Sequence, residues 1–330
     1  MEYVSVVVPC KNEEVQIANC IESLLSNGYP KEYLEILIVD GLSSDRTVEI
    51  VKEMELRYSS VKLLSNPKEK TPFALNIGID NARGDYILIA SGHSSFEKGY
   101  ISTLLQEMKK LHADIVGGVM KTKLRVENNT SVAIAKVLSH PFGVGNSTFR
   151  TGIDKSQRVD TVPFGLYTAS ILKSINGYDE RLIRNHDIEM SKRLLAKGAK
   201  IFLVPNAVCY YYARASWSAL AKNNFDNGKW NLLTVYITKD FSSLSLRHFV
   251  PLCFMLSLVL PLFASLLYGK LYILSVLSIL FYVLSVSIIG VKMERSGTTL
   301  LHLIISFFVL HFSYGVGSFV GMFNLKTLFK

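Results

Sequence analysis

The sequence predicts an α/β fold: a mostly parallel, doubly wound sheet with helices on both faces, followed by helices that cross a membrane. Three observations carry this expectation. From Val4 to Val116, short β-branched runs alternate with helical apolar stripes over short connections. The runs 249–268, 271–291 and 299–325 hold no charged residue, and each reaches the about 20 residues a helix needs to cross a ~30 Å hydrocarbon layer. At the ends of the predicted strands stand Pro9-Cys10-Lys11-Asn12-Glu13, Asp40-Gly41-Leu42-Ser43 and Ser91-Gly92-His93, where open α/β sheets bind their ligands.

Taken in order, 4–8 is a β-branched run stopped by Pro9, the pattern of a strand buried on both faces. Residues 13–25 carry Ile17, Ile21, Leu24 and Leu25 at helical spacing. Residues 36–39 form a second strand closed by Asp40-Gly41. Ser44-Asp45-Arg46-Thr47 then caps a helix with Val48, Val51 and Met54 inward. A third strand at 61–64, a helix at 72–81 and a fourth strand at 86–90 follow. The next helix is striped by Ile101, Leu104, Leu105, Met108 and Leu111, and Ile115-Val116 opens a fifth strand. Residues 121–162, rich in Gly, Asn and Thr, read as a long loop region over the site. Residues 217–247, basic and aromatic, read as an amphipathic helix along a membrane surface. The expected organisation is a globular domain over 1–215, a membrane-surface segment over 216–248 and a transmembrane region of about three helices over 249–330.

The formal net charge of the 330-residue chain is +9, but Lys and Arg are spread along it, not gathered into a stripe. This argues against nucleic acid and for an anionic membrane face and phosphate-bearing substrates. Cys10, Cys20, Cys209 and Cys253 form no C-x-x-C pair and no zinc pattern, and read as buried thiols in a reducing compartment. No basic stretch followed by an apolar run opens the chain, so no secretory signal is expected. The sequons at Asn128 and Asn146 then carry no glycan. Three spans without repeated halves make too small a bundle for a transporter.

Several ordered blocks carry a resemblance. Val6-Val7-Val8-Pro9 with Asn12-Glu13, Asp40-Gly41-x-Ser43-x-Asp45-x-Thr47, Asn76-x-Gly78 and Ala82-x-Gly84-Asp85 together resemble the opening of the family 2 inverting glycosyltransferases, nucleotide-sugar enzymes of the Rossmann-like GT-A fold. The later blocks His140-Pro141-Phe142-Gly143-Val144-Gly145-Asn146 and Asp160-Thr161-Val162-Pro163-Phe164-Gly165 are similar to the succinoglycan type, which builds bacterial exopolysaccharide on a lipid carrier.

The resemblance implies a site. Pro9, Asn12 and Glu13 line the first loop, Asp40 with Ser43 holds the nucleotide base, and Lys70 lies near the phosphates. Family members hold a divalent metal, Mn²⁺ or Mg²⁺, with an Asp-x-Asp after the fourth strand. Here that position reads Ser91-Gly92-His93, which leaves His93 as the metal ligand; an imidazole suits Mn²⁺ better than Mg²⁺. Asp187 fits the catalytic base, and Glu189 is a second candidate or an orienting group. Tyr178-Asp179-Glu180 shapes the acceptor side, and Arg214 contacts a diphosphate. The same residue types also cap turns and helices, as Asp40, Asn12, Glu13 and Asp187 each could. Processive members carry Gln-x-x-Arg-Trp, whereas this chain has Asp226-Asn227-Gly228-Lys229-Trp230, and Lys does not replace a bidentate Arg.

The implied protein is a membrane-anchored inverting glycosyltransferase that moves a sugar from a UDP-sugar to a polyprenyl-linked or polysaccharide acceptor. It sits in a bacterial inner membrane as a multi-pass protein with a cytoplasmic catalytic domain, in complex with other glycan-assembly proteins. The serine at 91 motivates an alternative, a degenerate binding or scaffold protein of the same fold. Gly317 and Gly321 form a close-packing pair, and His302 and His311 read as bonded to neighbouring helices.

Overall fold

In the computed structural model, which describes residues 1–323, the first β-branched run forms β1 (Val4–Cys10). The chain then winds through α1 (Ile17–Leu25), β2 (Leu34–Asp40), α2 (Thr47–Arg57), β3 (Val61–Ser65), α3 (Thr71–Asn81) and β4 (Tyr86–Ile89). Next come β5 (Ser94–Phe96), α4 (Tyr100–Leu111), β6 (Ile115–Lys123), α5 (Asn129–Leu138), α6 (Pro141–Val144), α7 (Thr148–Thr151), β7 (Gln157–Arg158) and β8 (Leu166–Thr168). After α8 (Ala169–Lys173), α9 (His186–Ala196) and β9 (Ile201–Tyr212) follow the helices α10 (Trp217–Thr238), α11 (Val250–Tyr268), α12 (Tyr272–Lys292) and α13 (Leu300–Phe323). The chain divides into two units, Met1–Lys121 with Thr148–Tyr212, and Thr122–Ser147 with the residues from Ala213 onward.

The strand order is β3-β2-β1-β4-β8-β6-β9-β5, with β7 beside β9. Strands β3, β2, β1 and β4 are mutually parallel, as the βα alternation predicts. Beyond β4 the sheet is mixed, because β8 runs antiparallel to both β4 and β6, and β5 and β7 both run antiparallel to β9. The parallel reading therefore holds for one half only: later strands enter after excursions that reverse the chain.

Alternation along β1 sends side chains into two cores. Val4, Val6 and Val8 pack with Ile17, Ile21 and Leu24 of α1 and with Ile101, Leu104 and Met108 of α4. Val7 packs on the other face with Ala74, Leu75 and Ile79 of α3 and Met190 and Leu194 of α9. Each such buried aliphatic side chain contributes about 1.5–3 kcal/mol. At Gly78 a Cβ would lie 2.2 Å from Val7 Cγ1, and at Gly84 it would lie 2.6 Å from the Ser5 nitrogen. These two glycines of the resemblance blocks therefore serve close packing.

The amino-terminal edge of the parallel half holds an anchor. Glu35, 1% exposed, accepts from the Ser5 hydroxyl at 2.6 Å and from Arg83 N–H, Nε and Nη2 at 2.8, 3.1 and 2.9 Å. Burial pushes this carboxyl up, but the donors from Ser5 and Arg83 outweigh burial and hold it below 4.5. A depressed carboxyl stabilises the fold above its unfolded value and loses that contribution as pH falls through the lower folded value. Thermal unfolding across pH is therefore expected to show stability falling below about pH 4.5, with a shallower acid-side loss in Glu35→Gln.

Residues 121–162 are not the long loop expected. They contain α5, closed by a capping box in which Asn128 accepts from the Ser131 N–H and Ser131 reciprocates. Val132, Ala133, Ile134 and Val137 on α5 are buried, a helical stripe masked by the polar residues around it. The His140–Asn146 block likewise supports helix packing. Phe142 lies 5.6 Å from the Phe307 ring, and its carbonyl meets His311 Nε2 at 3.0 Å. His311 Nδ1 meets the Tyr282 hydroxyl at 2.9 Å, the inter-helix role expected of this histidine. His302 instead bonds Thr299 of its own helix start.

The segment from Trp217 is helical, and its buried stripe packs against another helix. Leu220, Asn224, Gly228 and Asn231 line the buried side of α10. At Gly228 a Cβ would lie 2.0 Å from the Tyr314 carbonyl oxygen, and at Gly317 it would lie 2.0 Å from that of Phe225. The Gly317–Gly321 pair thus packs α13 onto α10, and Gly228 of the Asp226–Trp230 block serves this contact. Two apolar helical stretches are long enough to cross a membrane by length and composition, Leu246–Lys292 and Leu300–Phe323, and they hold α11, α12 and α13. The first breaks at Gly269 and folds back, so that Phe254 stacks on Tyr282 at 4.8 Å and Ser275 bonds the Leu258 carbonyl. Lys326 and Lys330, and the end of the third uncharged run, lie outside the described residues.

Candidate active site

Parallel strands end on one side, so the loops after β1, β2, β3 and β4 share a rim. The first two are laced together. The Asn12 N–H donates to Ser43 Oγ at 2.8 Å, and Asn12 Oδ1 accepts from the Ser44 N–H at 2.8 Å. The Glu13 N–H donates to Thr47 Oγ1 at 2.8 Å, and Thr47 donates in turn to Asp45. Asn12 and Leu42 both hold φ near +55° to +60°, a conformation that these side-chain bonds support. Much of the Asp40–Thr47 block therefore builds the rim before any ligand arrives.

Asp40 is 5% exposed. Its carboxylate takes both the Ser43 N–H, at 3.0 Å, and the Ser43 hydroxyl. Burial, then the Asp40 and Glu13 carboxylates, push the Cys10 thiol up, and burial pushes Cys20 up to about 12. Neither thiol is a nucleophile at neutral pH. The third loop joins through Asn66, whose N–H meets the Asp40 carbonyl at 2.7 Å, and through a Lys11–Glu69 ion pair. Lys70 follows Glu69 as the exposed N-cap of α3. At Gly92 a Cβ would stand 3.0 Å from Cys10 Cβ and 3.2 Å from Glu13 Cγ, so a glycine lets the fourth loop close on the first. Pro9, Asn12, Glu13, Asp40, Ser43, Lys70, Ser91, Gly92 and His93 are thus brought to one edge.

His93 Nδ1 lies 2.8 Å from Glu13 Oε1 and 3.2 Å from Ser91 Oγ. Among the described residues no three His, Cys, Asp or Glu side chains gather around a metal-sized space. The donors do not make a complete protein cage. They do fit an ion shared with a bound diphosphate, because Mg²⁺-type ions are commonly held by one or two protein donors plus substrate phosphates. Tyr211 lies beside His93, and Arg150 lies beside Tyr211. The Tyr211 ring meets His93 edge-on at 5.7 Å, and the Arg150 guanidinium lies 5.4 Å from the Tyr211 ring centre. The antiparallel pairing of Ser94 with Tyr211 creates this neighbourhood, and no local pattern reveals it.

Asp187 stands in the first turn of α9 with its side chain 67% exposed, and His186 Nε2 lies 3.4 Å from its Oδ1. Burial first, and then the Asp187 carboxylate, push the Tyr167 phenol up. Asp187 is thus within electrostatic reach of Tyr167 on β8, the strand next to β4. His186 Nδ1 is buried without a hydrogen bond, and the ring meets Tyr178 at 5.7 Å. Glu189 has a different environment. It is 4% exposed and paired with Arg193, whose Nε and Nη2 lie 2.6 and 2.9 Å from its oxygens. Arg193 also donates to the Ile175 and Gly177 carbonyls, so Glu189 is engaged in a buried ion pair while Asp187 is accessible. Asn76 bonds both the N–H and the carbonyl of Tyr178 and reaches Glu180, which ties α3 to the loop before α9. Arg214 belongs to the second unit, where it donates to Asn223 at 2.8 Å.

The sequence pattern described as Glycosyl transferase family 2 matches residues 5–174. One relative, from Methanococcus voltae, is a dolichyl N-acetyl-alpha-D-glucosaminyl phosphate 3-beta-D-2,3-diacetamido-2,3-dideoxy-beta-D-glucuronosyltransferase. It is 32% identical over 237 residues, 69% of this chain and 72% of its own length. The succinoglycan biosynthesis protein ExoA of Rhizobium meliloti is 28% identical over 68% of this chain and 67% of its own. Among solved structures, a mannosyltransferase from Pyrobaculum calidifontis with GDP-Man and Mn²⁺ superposes with a TM-score of 0.61, at 12% identity, over 98% of this chain and 88% of that one. S. aureus TarS 1–349 with UDP-GlcNAc gives 0.54 at 16% identity, over 96% and 91%. At these identities the two structures bear on the fold alone.

Proposed function

Because the chain belongs to glycosyl transferase family 2 and is a glycosyltransferase of GT-A-like fold, we propose that it is an inverting enzyme. It transfers a sugar from a UDP-sugar to a lipid-linked acceptor in exopolysaccharide or cell-surface glycan synthesis. The observation that carries this is the laced rim, where Glu13, Asp40, Ser43, Lys70 and His93 gather beside the loops that approach a donor. The names of the Methanococcus and Rhizobium relatives support a lipid-linked acceptor and an exopolysaccharide product.

In the proposed reaction the acceptor hydroxyl attacks the anomeric carbon from the face opposite the nucleotide. The Asp187 carboxylate takes the hydroxyl proton as the new C–O bond forms. The bond to the donor phosphate breaks, and its electron pair leaves with UDP, which inverts the anomeric centre. Asp40, held by Ser43, shapes the base pocket. Lys70, Glu13 and His93 face the diphosphate. A divalent ion held by His93 and Glu13 together with the nucleotide would supply charge neutralisation for the leaving group.

Two apolar helical stretches suggest membrane association. Lys239 and Arg247 precede α11, and Lys292 and Arg295 stand at and beyond the end of α12; since α11 and α12 fold back on each other, both groups fall on one side and favour a cytoplasmic catalytic domain by the positive-inside rule. A degenerate scaffold is favoured by one observation, the serine at 91 where the family carries a carboxylate.

A panel of sugar nucleotides, scored by thermal unfolding of the purified protein, separates the two readings. UDP or a UDP-sugar is expected to raise the melting temperature by several degrees. Mn²⁺ alone is expected to leave it unchanged, since the protein offers two donors, while Mn²⁺ added with UDP raises it further. His93→Ala removes only the Mn²⁺ increment. If no nucleotide stabilises the chain, with or without Mn²⁺, the scaffold reading stands.

A further inference from the structure

The second unit holds a cleft of about 410 Å³ where α5 and its C-terminal turn meet the end of α12. Its polar lining is Lys136, Ser139, His140, Lys292 and Glu294, with Ile289 and Met293 as the apolar part. Three features give it a chemical character. Lys136 and Lys292 bring two ammonium groups, against one carboxylate. That carboxylate, on Glu294, is 81% exposed and stands 3.9 Å from Lys136 Nζ. Among the described residues no carboxylate pairs with Lys292. His140 Nδ1 accepts the Phe142 N–H at 3.1 Å, which leaves the imidazole proton on Nε2 as a donor, and burial keeps this ring neutral near pH 7 by lowering its pKa. The cleft is therefore rich in donors and poor in acceptors, the composition of an anion site.

Its place in the chain selects the anion. Lys292 is the last residue of both α12 and the apolar stretch Leu246–Lys292. In a bilayer that level is the phosphate layer, where lysines at helix ends extend toward headgroups. Ile289, one turn earlier, continues the cleft into the apolar stretch. A soluble anion would have no use for that part, whereas a lipid presents a phosphate followed by a hydrocarbon chain. We propose that this cleft binds the phosphate headgroup of an anionic membrane lipid through Lys136 and Lys292, with the start of the lipid chain against Ile289 and Met293. The inference rests on the apolar stretches crossing a membrane and is independent of the transferase chemistry.

The test is thermal unfolding of the full chain in phosphatidylcholine vesicles with and without phosphatidylglycerol. The anionic lipid is expected to raise the melting temperature by about 3–6 °C. Lys136→Gln with Lys292→Gln removes that increment and leaves the melting temperature in neutral vesicles unchanged. Glu294→Gln acts in the opposite direction and enlarges the increment, because it removes the carboxylate that competes for Lys136; this variant keeps the test decisive if the double variant folds poorly. An increment that survives the double change, no increment in the wild type, or an equal rise produced by inorganic phosphate in neutral vesicles would each overturn the proposal. Failure to insert into any vesicle would remove the membrane reading itself, and the proposal with it.

Discussion

Replacing Asp187 with Asn is expected to lower kcat for sugar transfer by about 10²- to 10⁴-fold while leaving UDP binding intact. The side chain is 67% exposed, and its contact is His186 Nε2 at 3.4 Å, so no core packing depends on it. The charge at a helix start contributes about 0.3–1 kcal/mol, which bounds the stability loss at a few degrees. The substitution keeps the shape of the carboxylate and removes its capacity to take a proton. The assay is transfer from labelled UDP-sugars in membranes, with melting temperature measured in parallel. Equal transfer by wild type and variant would remove Asp187 as the base, and an unfolded variant would show the contact with His186 to be structural.

Arg193→Ala should do the reverse, unfolding the protein before it touches the chemistry. Glu189 is 4% exposed and its two oxygens are held by Arg193 at 2.6 and 2.9 Å. Deleting the guanidinium strands a buried carboxylate, a loss of about 3–5 kcal/mol, or on the order of 10 °C in melting temperature for a domain of this size. The Ile175 and Gly177 carbonyls lose their donors as well, and these residues lead into the loop before α9. Changing both partners, Glu189→Leu with Arg193→Met, should recover much of the loss, because no buried charge is then left unpaired. A Glu189 base predicts something else, a Glu189→Gln variant with normal stability and no transfer. The two experiments together assign one carboxylate of α9 to chemistry and the other to architecture.

The contrast shows how far the residues could be read unaided. Asp187 and Glu189 are two positions apart in the first turn of one helix, and both looked like candidates. Helical geometry turns them to different sides, one toward solvent and one onto Arg193 four residues on. Spacing reveals that they diverge, but burial decides which one stays accessible. Ser43, Asn12, Asp45 and Thr47 were legible as a block because short polar residues at strand ends favour turns. That they bond one another across two loops is a long-range fact that no local window contains. Tyr211 reaches His93 through strand pairing between residues more than a hundred positions apart in sequence, and so left no signal. Gly228 of the Asp226–Trp230 block serves a helix contact that no local window contains.

Periodicity and composition alone determined the parallel half of the sheet, its buried strands, the rim of loops after those strands and the apolar stretches at the carboxyl end. Those features follow from the alternation and burial of neighbouring residues, which each local segment carries within itself. Tertiary structure alone decided the reversed strands beyond β4, the partner of each carboxylate, the packing of α10 on α13 and the basic cleft at the end of α12. These depend on which distant segments meet, and that is settled by the packing of the whole chain, whose free energy no single segment holds.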